Sequence, residues 1–338
     1  MKRVCVLLFL PGMLPLLAVG ADYEKCAVIV ADAQRLACYD QVAAQVVTPS
    51  PAPAEQGRMV AAPRPDDVAV ADSLLGKSWE LDEDSKKGIF RFREHKPVYI
   101  FPVHYSNNPN QSPTSPAPDH SALASLPVAS SAVKYQLSFK TKLWEDIIGD
   151  NGNLWFAYTQ QSHWLLYNPQ VSSPFRETNY EPELIFSLRT DVDLPGMRWR
   201  ALNLGLVHQS NGRGLPLSRS WNRVYAQFGL ERDNFSLLVR PWVRLPESVE
   251  NDDNPDIGRY MGHGDVLLNY KSGENVYSAL GRYSASGGHG ALQLSWGFPI
   301  SHALKGYVQV FNGYGESLID YNHNQTSIGI GFSLQEWR

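Results

Sequence analysis

The sequence predicts an all-β protein: a transmembrane antiparallel β-barrel of about 12 strands, preceded by a short N-terminal helical segment in the periplasm. Three observations predict it. The chain opens like an exported protein, about twelve later segments alternate apolar and polar residues, and the spacers between them are alternately short and long. Of its 338 residues, 9 are Trp and 16 Tyr, and the net charge is -4. That balance leaves no basic footprint for a nucleic acid.

Residues 1–21, MKRVCVLLFLPGMLPLLAVGA, read as a secretory signal peptide. Lys2 and Arg3 are its basic start, Val4 to Leu17 its apolar run, and Val19 and Ala21 fit the small-residue cleavage rule. The apolar run is shorter than the ~20 residues a spanning helix needs. No later segment approaches a spanning helix, which leaves a secreted soluble protein or a membrane barrel.

Residues 22–46 read as a small helical piece. It holds Cys26 and Cys38, which an oxidising compartment leaves open to a disulfide. One continuous helix cannot join them, because twelve residues at about 1.5 Å rise separate them by roughly 18 Å. If bonded, CAVIVADAQRLAC turns back on itself. Residues 47–90 read as a linker and N-terminal extension, rich in Pro and Ala over 47–64. The barrel domain is expected over 91–338.

Period-two patterning starts near Lys96. In VKYQLSFKTKLW, Tyr135, Leu137, Phe139, Thr141 and Leu143 share one face, and Lys134, Gln136, Ser138, Lys140 and Lys142 the other. Twelve segments are expected near 96–106, 134–145, 153–166, 178–190, 198–210, 221–231, 233–243, 259–270, 275–286, 290–298, 303–313 and 325–335. Those at 259–270, 275–286 and 303–313 alternate poorly. Spacers after the even-numbered segments are short, and those after the odd-numbered ones mostly long, as periplasmic turns and extracellular loops are. One long spacer, 107–131, is of low complexity and reads as a long or partly disordered loop. Such barrels often end on an aromatic residue, whereas this chain ends Trp337-Arg338.

The spacer after the fifth segment is HQSNGRGLPLSRSWN, residues 208–222. Leu202, Leu204 and Leu206 face lipid, so the same parity carries His208 and Ser210 to the lipid side. On the sixth segment Val224, Ala226, Phe228 and Leu230 face lipid, which places Asn222 there too. A hairpin brings the three together. Ser needs a base to become a nucleophile, His is suited to that role near neutral pH, and an Asn carbonyl can orient the imidazole. A pore would put its working groups in the lumen. Loops rich in Ser, Asn, Gly and Arg are common, so a polar loop without chemistry stays open at this point.

HQSNGRGLPLSRSWNR resembles the signature of the outer-membrane phospholipase A family, as do SSPFRETNYEPE (172–183), DDNPDI (252–257) and GYGESLIDYNHNQT (313–326). The resemblance covers roughly 90–335. It implies a twelve-stranded outer-membrane barrel that hydrolyses acyl esters of phospholipids and lysophospholipids, with A1 and A2 activity. It implies a nucleophile Ser210, a base His208 and an orienting Asn222, with Ca2+ as cofactor and a homodimer as the active form. The implied calcium ligands are the Ser218 hydroxyl, the Arg213 carbonyl and the Ser172 carbonyl of the partner subunit, with Asp253 a further candidate. Gln160 shares the lipid-facing parity of Leu154, Phe156 and Tyr158. An amide there needs a partner; a paired Gln at a membrane dimer interface supplies one, and the family the chain resembles has a Gln here. Some members carry an acidic residue in mid-loop, where this chain has Gly214-Leu215-Pro216-Leu217. The rivals are a non-catalytic barrel, as a pore or structural protein, and an outer-membrane protease, for which no convergent acidic pair is visible. His263 and His289 fit no motif.

Overall fold

A computed structural model describes residues 25–47, 73–168, 174–301 and 304–334. The expected signal peptide (1–21), most of the linker (48–72), Ser172 and the terminal Trp337-Arg338 lie outside the described residues. The chain divides into two units, 1–62 and 63–338.

In the first unit a helical turn at 25–28 is followed by helix α1 (Asp32–Val47). Cys26 and Cys38 form a disulfide with Cα atoms 5.5 Å apart. The chain turns back between them, at 28–31, as the spacing requires. Ile29 N donates to the Cys26 carbonyl at 3.2 Å, and Arg35 Nη1 to the Ile29 carbonyl at 3.3 Å, which hold the turn.

The second unit is a closed antiparallel barrel of twelve strands. They are β1 (Tyr99–Ser106), β2 (Ser131–Trp144), β3 (Asn153–Trp164), β4 (Phe175–Leu194), β5 (Met197–Ser210), β6 (Ser220–Arg232), β7 (Phe235–Arg244), β8 (Gly264–Ser272), β9 (Asn275–Ser284), β10 (His289–Pro299), β11 (Leu304–Tyr314) and β12 (Asn324–Leu334). Each pairs with its neighbours in sequence, and β12 closes on β1, with Ser327 opposite Ser106. A two-residue piece, Phe92–Arg93, pairs with Lys140 and Thr141 of β2. One boundary differs from the expectation by more than a strand end. Residues 257–261 are a short helix, α3 (Ile257–Met261), and β8 begins only after Gly262, whose φ is +70°.

The alternation read from sequence is the inside–outside alternation of the wall. On β5, Asn203, Gly205 and Val207 are buried while Leu204 and Leu206 are 45% and 49% exposed. Gly205 is required: a Cβ there would lie 2.1 Å from the Tyr225 ring, which crosses it from β6. On β2, Lys134, Lys140 and Lys142 point inward and are buried. Uncompensated, such charges would cost several kcal/mol each. Lys134 meets Glu316 at 2.9 Å, Lys142 meets Glu80 at 2.8 Å, and the Lys140 ammonium lies 3.5 Å over the Trp79 ring.

The last two partners come from the stretch 73–90, for which the sequence predicts a linker and N-terminal extension. It lies instead against the inner wall. Helix α2 (Leu74–Trp79) buries Leu75 and Trp79 in one cluster with Trp155, Ile185, Ala201 and Trp221. Its N-terminus is fixed by Glu231 of β6. The Glu231 carboxylate accepts from Ser73 Oγ at 2.6 Å and from the Leu74 amide. Six residues are too few for a stable isolated helix, so packing and this cap hold it. Burial alone would raise the Glu80 carboxyl, but hydrogen bonds from Lys142 and Arg93 hold it below its ordinary range. Glu80 thus stays charged beside Lys142. Trp79→Ala is expected to cost about 3–5 kcal/mol of stability, read as a lower urea midpoint for the barrel in detergent. An unchanged midpoint would mean that α2 adds nothing to the barrel.

The connections 145–152, 195–196, 233–234 and 273–274 gather at one end of the barrel, with α2. The longer ones, 107–130, 211–219, 245–263 and 315–323, gather at the other, together with the short connection 285–288.

Candidate active site

At the long-loop end, β5 and β6 run antiparallel with His208 opposite Asn222 and Ser210 opposite Ser220. His208 and Ser210 continue the outward face of Leu204 and Leu206, and Asn222 that of Val224, as parity requires. Residues directly opposite on antiparallel strands have Cβ atoms about 5 Å apart, close enough for the side chains to bond. His208 Nδ1 and Asn222 Oδ1 lie 2.8 Å apart. Ser210 stands two residues further along the same face, about 7 Å by Cα rise. Among the described residues its hydroxyl has no hydrogen-bond partner. Nucleophile–base contacts are often long without substrate.

Asn222 has a second partner that the sequence did not suggest. Its Nδ2 donates to Glu247 Oε1 at 2.6 Å. Glu247 lies in the loop after β7, and no local pattern ties it to position 222.

The loop 211–219 is organised by Asn211, also missed. Buried Asn211 Oδ1 accepts from the Arg219 amide at 3.0 Å and the Arg213 amide at 3.2 Å, and Nδ2 donates to the Leu217 carbonyl at 2.8 Å. One side chain thus ties both halves of the loop. Gly212 adopts φ +63°, and a Cβ there would lie 3.0 Å from the Tyr180 ring. Both facts favour glycine. Leu215 at the tip is 63% exposed.

Beside this loop, Asp253 collects hydroxyls. Its Oδ2 accepts from Ser218 Oγ at 2.7 Å and Ser220 Oγ at 3.0 Å, and Oδ1 lies 2.9 Å from His120 Nε2. Buried Asn254 accepts from the Ser220 amide at 3.0 Å, fixing the DDNP segment against β6. His120 comes from the loop 107–130, whose composition predicts a long or partly disordered segment. Ser115 of that loop also donates to the Asp253 carbonyl at 2.7 Å. Ser218 and Asp253 are therefore brought together. Arg213 turns its guanidinium away, to the Phe175 carbonyl at 3.2 Å and towards Glu177 at 3.7 Å. Its own carbonyl accepts no hydrogen bond from the described residues. Ser172 lies outside them. Ser218 and Asp253 bring a hydroxyl and a carboxylate oxygen together, the kind a hard cation such as calcium takes.

A second group of metal-ligand type, His104, His163 and Glu316, lies inside the barrel. Glu316 is already saturated, by His104, Lys134, Ser327 and Gln325. It is part of the charge-paired lumen.

Gln160 faces outward on β3. It pairs with Tyr180 of β4, which pairs with Ser210 of β5, so the three stand in one row across the wall. The amide is not bare: Tyr158 Oη lies 3.2 Å from its oxygen and Ser162 Oγ 3.4 Å from its nitrogen.

The phospholipase A1 family model matches residues 75–334. The match begins at helix α2, earlier than the resemblance near 90. A Neisseria meningitidis serogroup B protein, provisionally named phospholipase A1, is 39% identical over 364 residues, covering 97% of this chain and 95% of the relative. Phospholipase A1 of Escherichia coli K12 is 46% identical over 204 residues, covering 60% of this chain and 70% of the relative. Among solved structures, outer membrane phospholipase A from Escherichia coli superposes with a TM-score of 0.67 at 39% identity, over 74% of this chain and 100% of that one. A Salmonella typhi outer membrane phospholipase dimer with bound calcium superposes with a TM-score of 0.68 at 38% identity, over 78% and 97%.

Proposed function

The chain belongs to the phospholipase A1 family and is a phospholipase of the outer membrane, and from that premise we propose that it cleaves phospholipid acyl esters with a Ser210–His208–Asn222 triad, as a calcium-dependent dimer. The observation that carries this reading is the His208–Asn222 hydrogen bond at 2.8 Å on the outward face of the wall, with Ser210 beside it. With the termini and short turns in the periplasm, that face meets acyl esters at headgroup depth in the outer leaflet.

In this mechanism Asn222 Oδ1 accepts the Nδ1 proton, which leaves His208 Nε2 free to act as base. His208 takes the Ser210 proton as Oγ attacks the acyl carbon. It then returns that proton to the departing glycerol oxygen, leaving an acyl ester on Ser210. The same imidazole deprotonates a water that attacks the acyl carbon; Ser210 Oγ departs, takes that proton back from His208, and the fatty acid is released. Ser218, the Arg213 carbonyl and Asp253 would hold calcium, which supplies positive charge near the developing oxyanion. His208 is exposed on the wall, and among the described residues nothing encloses one acyl chain. That openness supports action at either glycerol position and on lysophospholipids. The calcium-bound dimer named among the relatives supports dimerisation. The row linking Gln160 to Ser210 supports Gln160 as an interface residue, and the Ser172 carbonyl of the partner subunit would complete the metal site.

The rival, a pore, needs an open lumen. Helix α2 and the Lys–Glu pairs fill that space. The test is fatty-acid release from phospholipid by the purified protein in detergent with calcium. Release is expected; folded protein that releases none would overturn the reading.

A further inference from the structure

We propose that Glu247 is a positioning residue of this site, selecting the one orientation of the Asn222 amide that lets His208 act as a base. The proposal rests on the triad assigned above.

Glu247 is held where it stands. The chain leaving β7 bonds to β6 once more, Leu245 N donating to the Asn222 carbonyl at 2.8 Å. Two residues on, Glu247 Oε1 receives the Asn222 Nδ2 proton at 2.6 Å, and Oε2 lies 3.5 Å from Arg244 Nη2. Arg244 is itself fixed by Asp252 and by the Pro255 carbonyl at 3.3 Å. The Glu247 side chain is only 16% exposed. It is not a surface carboxylate resting by chance against the hairpin.

The chemical reason for such a partner lies in the amide. Asn presents an acceptor oxygen at one end and a donor NH2 at the other, nearly equal in shape. If NH2 faced His208, Nδ1 would have to accept, the proton would sit on Nε2, and Nε2 could not take the Ser210 proton. An ionised carboxylate has lone pairs only. It accepts the NH2 end and repels the oxygen, so Oδ1 must face His208. It also sets a negative charge two hydrogen bonds from the imidazole, where positive charge grows in the transition state. In an acid-containing triad one Asp performs both tasks. Here Asn222 makes the contact and Glu247 supplies the direction and the charge.

The test uses the full-length protein in detergent, saturating calcium and a phospholipid substrate. Glu247→Gln keeps the size but offers either amide end to Asn222. It is expected to lower kcat about ten-fold, the worth of exchanging a charge-assisted hydrogen bond for a neutral one. KM should stay within about two-fold, because Glu247 touches no substrate. In an Asn222→Ala background the same change should cost nothing further, since Glu247 acts only through Asn222. Glu247→Asp, which keeps the charge, should recover part of the loss. A wild-type kcat for Glu247→Gln would overturn the proposal. So would an equal loss in both backgrounds, or a loss matched by a lower unfolding midpoint. Failure of the triad itself reads differently: Ser210→Ala would stay active whatever Glu247 does.

Discussion

Ser210→Ala is expected to lower fatty-acid release by about 10⁴-fold or more, equivalent to about 5 kcal/mol of transition-state stabilisation. The loss is large because alanine leaves no atom to form the acyl intermediate. Only positioning and oxyanion stabilisation remain. His208→Ala should be about as severe, and the double variant no worse, because the two residues act as one unit. Asn222→Ala should cost less, about ten-fold, since it removes orientation and leaves the imidazole beside the nucleophile. That order separates a Ser–His mechanism from one in which these are merely loop residues. Folding is not expected to confuse the result. His208 and Ser210 lie on the outer face and are not among the residues of the buried cluster inside the barrel, and alanine is tolerated on a lipid-facing strand. Heat-modifiable mobility on a gel should show each variant folded. A folded Ser210→Ala protein with substantial release would remove the triad.

The approach of His208, Ser210 and Asn222 was legible because parity is a local property. LNLGLVHQS and WNRVYAQFGL each carry their own inside–outside code, and a hairpin needs only that code and a loop to juxtapose 208 with 222. What stayed hidden depends on contacts that no period reports. LLGKSW is too short to show a helical repeat, and its burial depends on Glu231, some 150 residues away. Glu247 and His120 reach the site from loops, where neighbours in sequence say nothing about neighbours in space. The poorly alternating segment at 259–270 failed for a related reason. Its first residues form α3, and the apolar residues there, Ile257 and Met261, bury against the interior cluster as a helical turn. The low-complexity loop 107–130 hid its role most fully. Its Ser115 and His120 make the Asp253 contacts, yet composition speaks only of loop.

Chelation is expected to reduce activity by about 10²-fold or more, restored by calcium and poorly by magnesium. The donors support that order. Calcium accepts six to eight oxygens in irregular geometry at about 2.3–2.6 Å, while magnesium demands a compact octahedron near 2.0–2.1 Å. A hydroxyl, a main-chain carbonyl and a carboxylate drawn from two loops suit the larger ion. A single carboxylate also implies modest affinity. The tip position that is acidic in some relatives of the family lies in an apolar stretch here, with Leu215 exposed, and adds no charge. Asp253→Asn should therefore raise the calcium concentration for half-maximal activity about ten-fold or more, with a smaller effect on kcat at saturation. Asn still accepts from Ser218 and Ser220, so the loops should stay in place and the change should report charge. The readout is a calcium titration of fatty-acid release, beside a thermal melt of the barrel with and without calcium. Full activity in chelator would remove the metal and leave the triad standing. Equal loss at every calcium concentration would instead make Asp253 a brace for the loop, holding Ser218 and Ser220 without holding an ion.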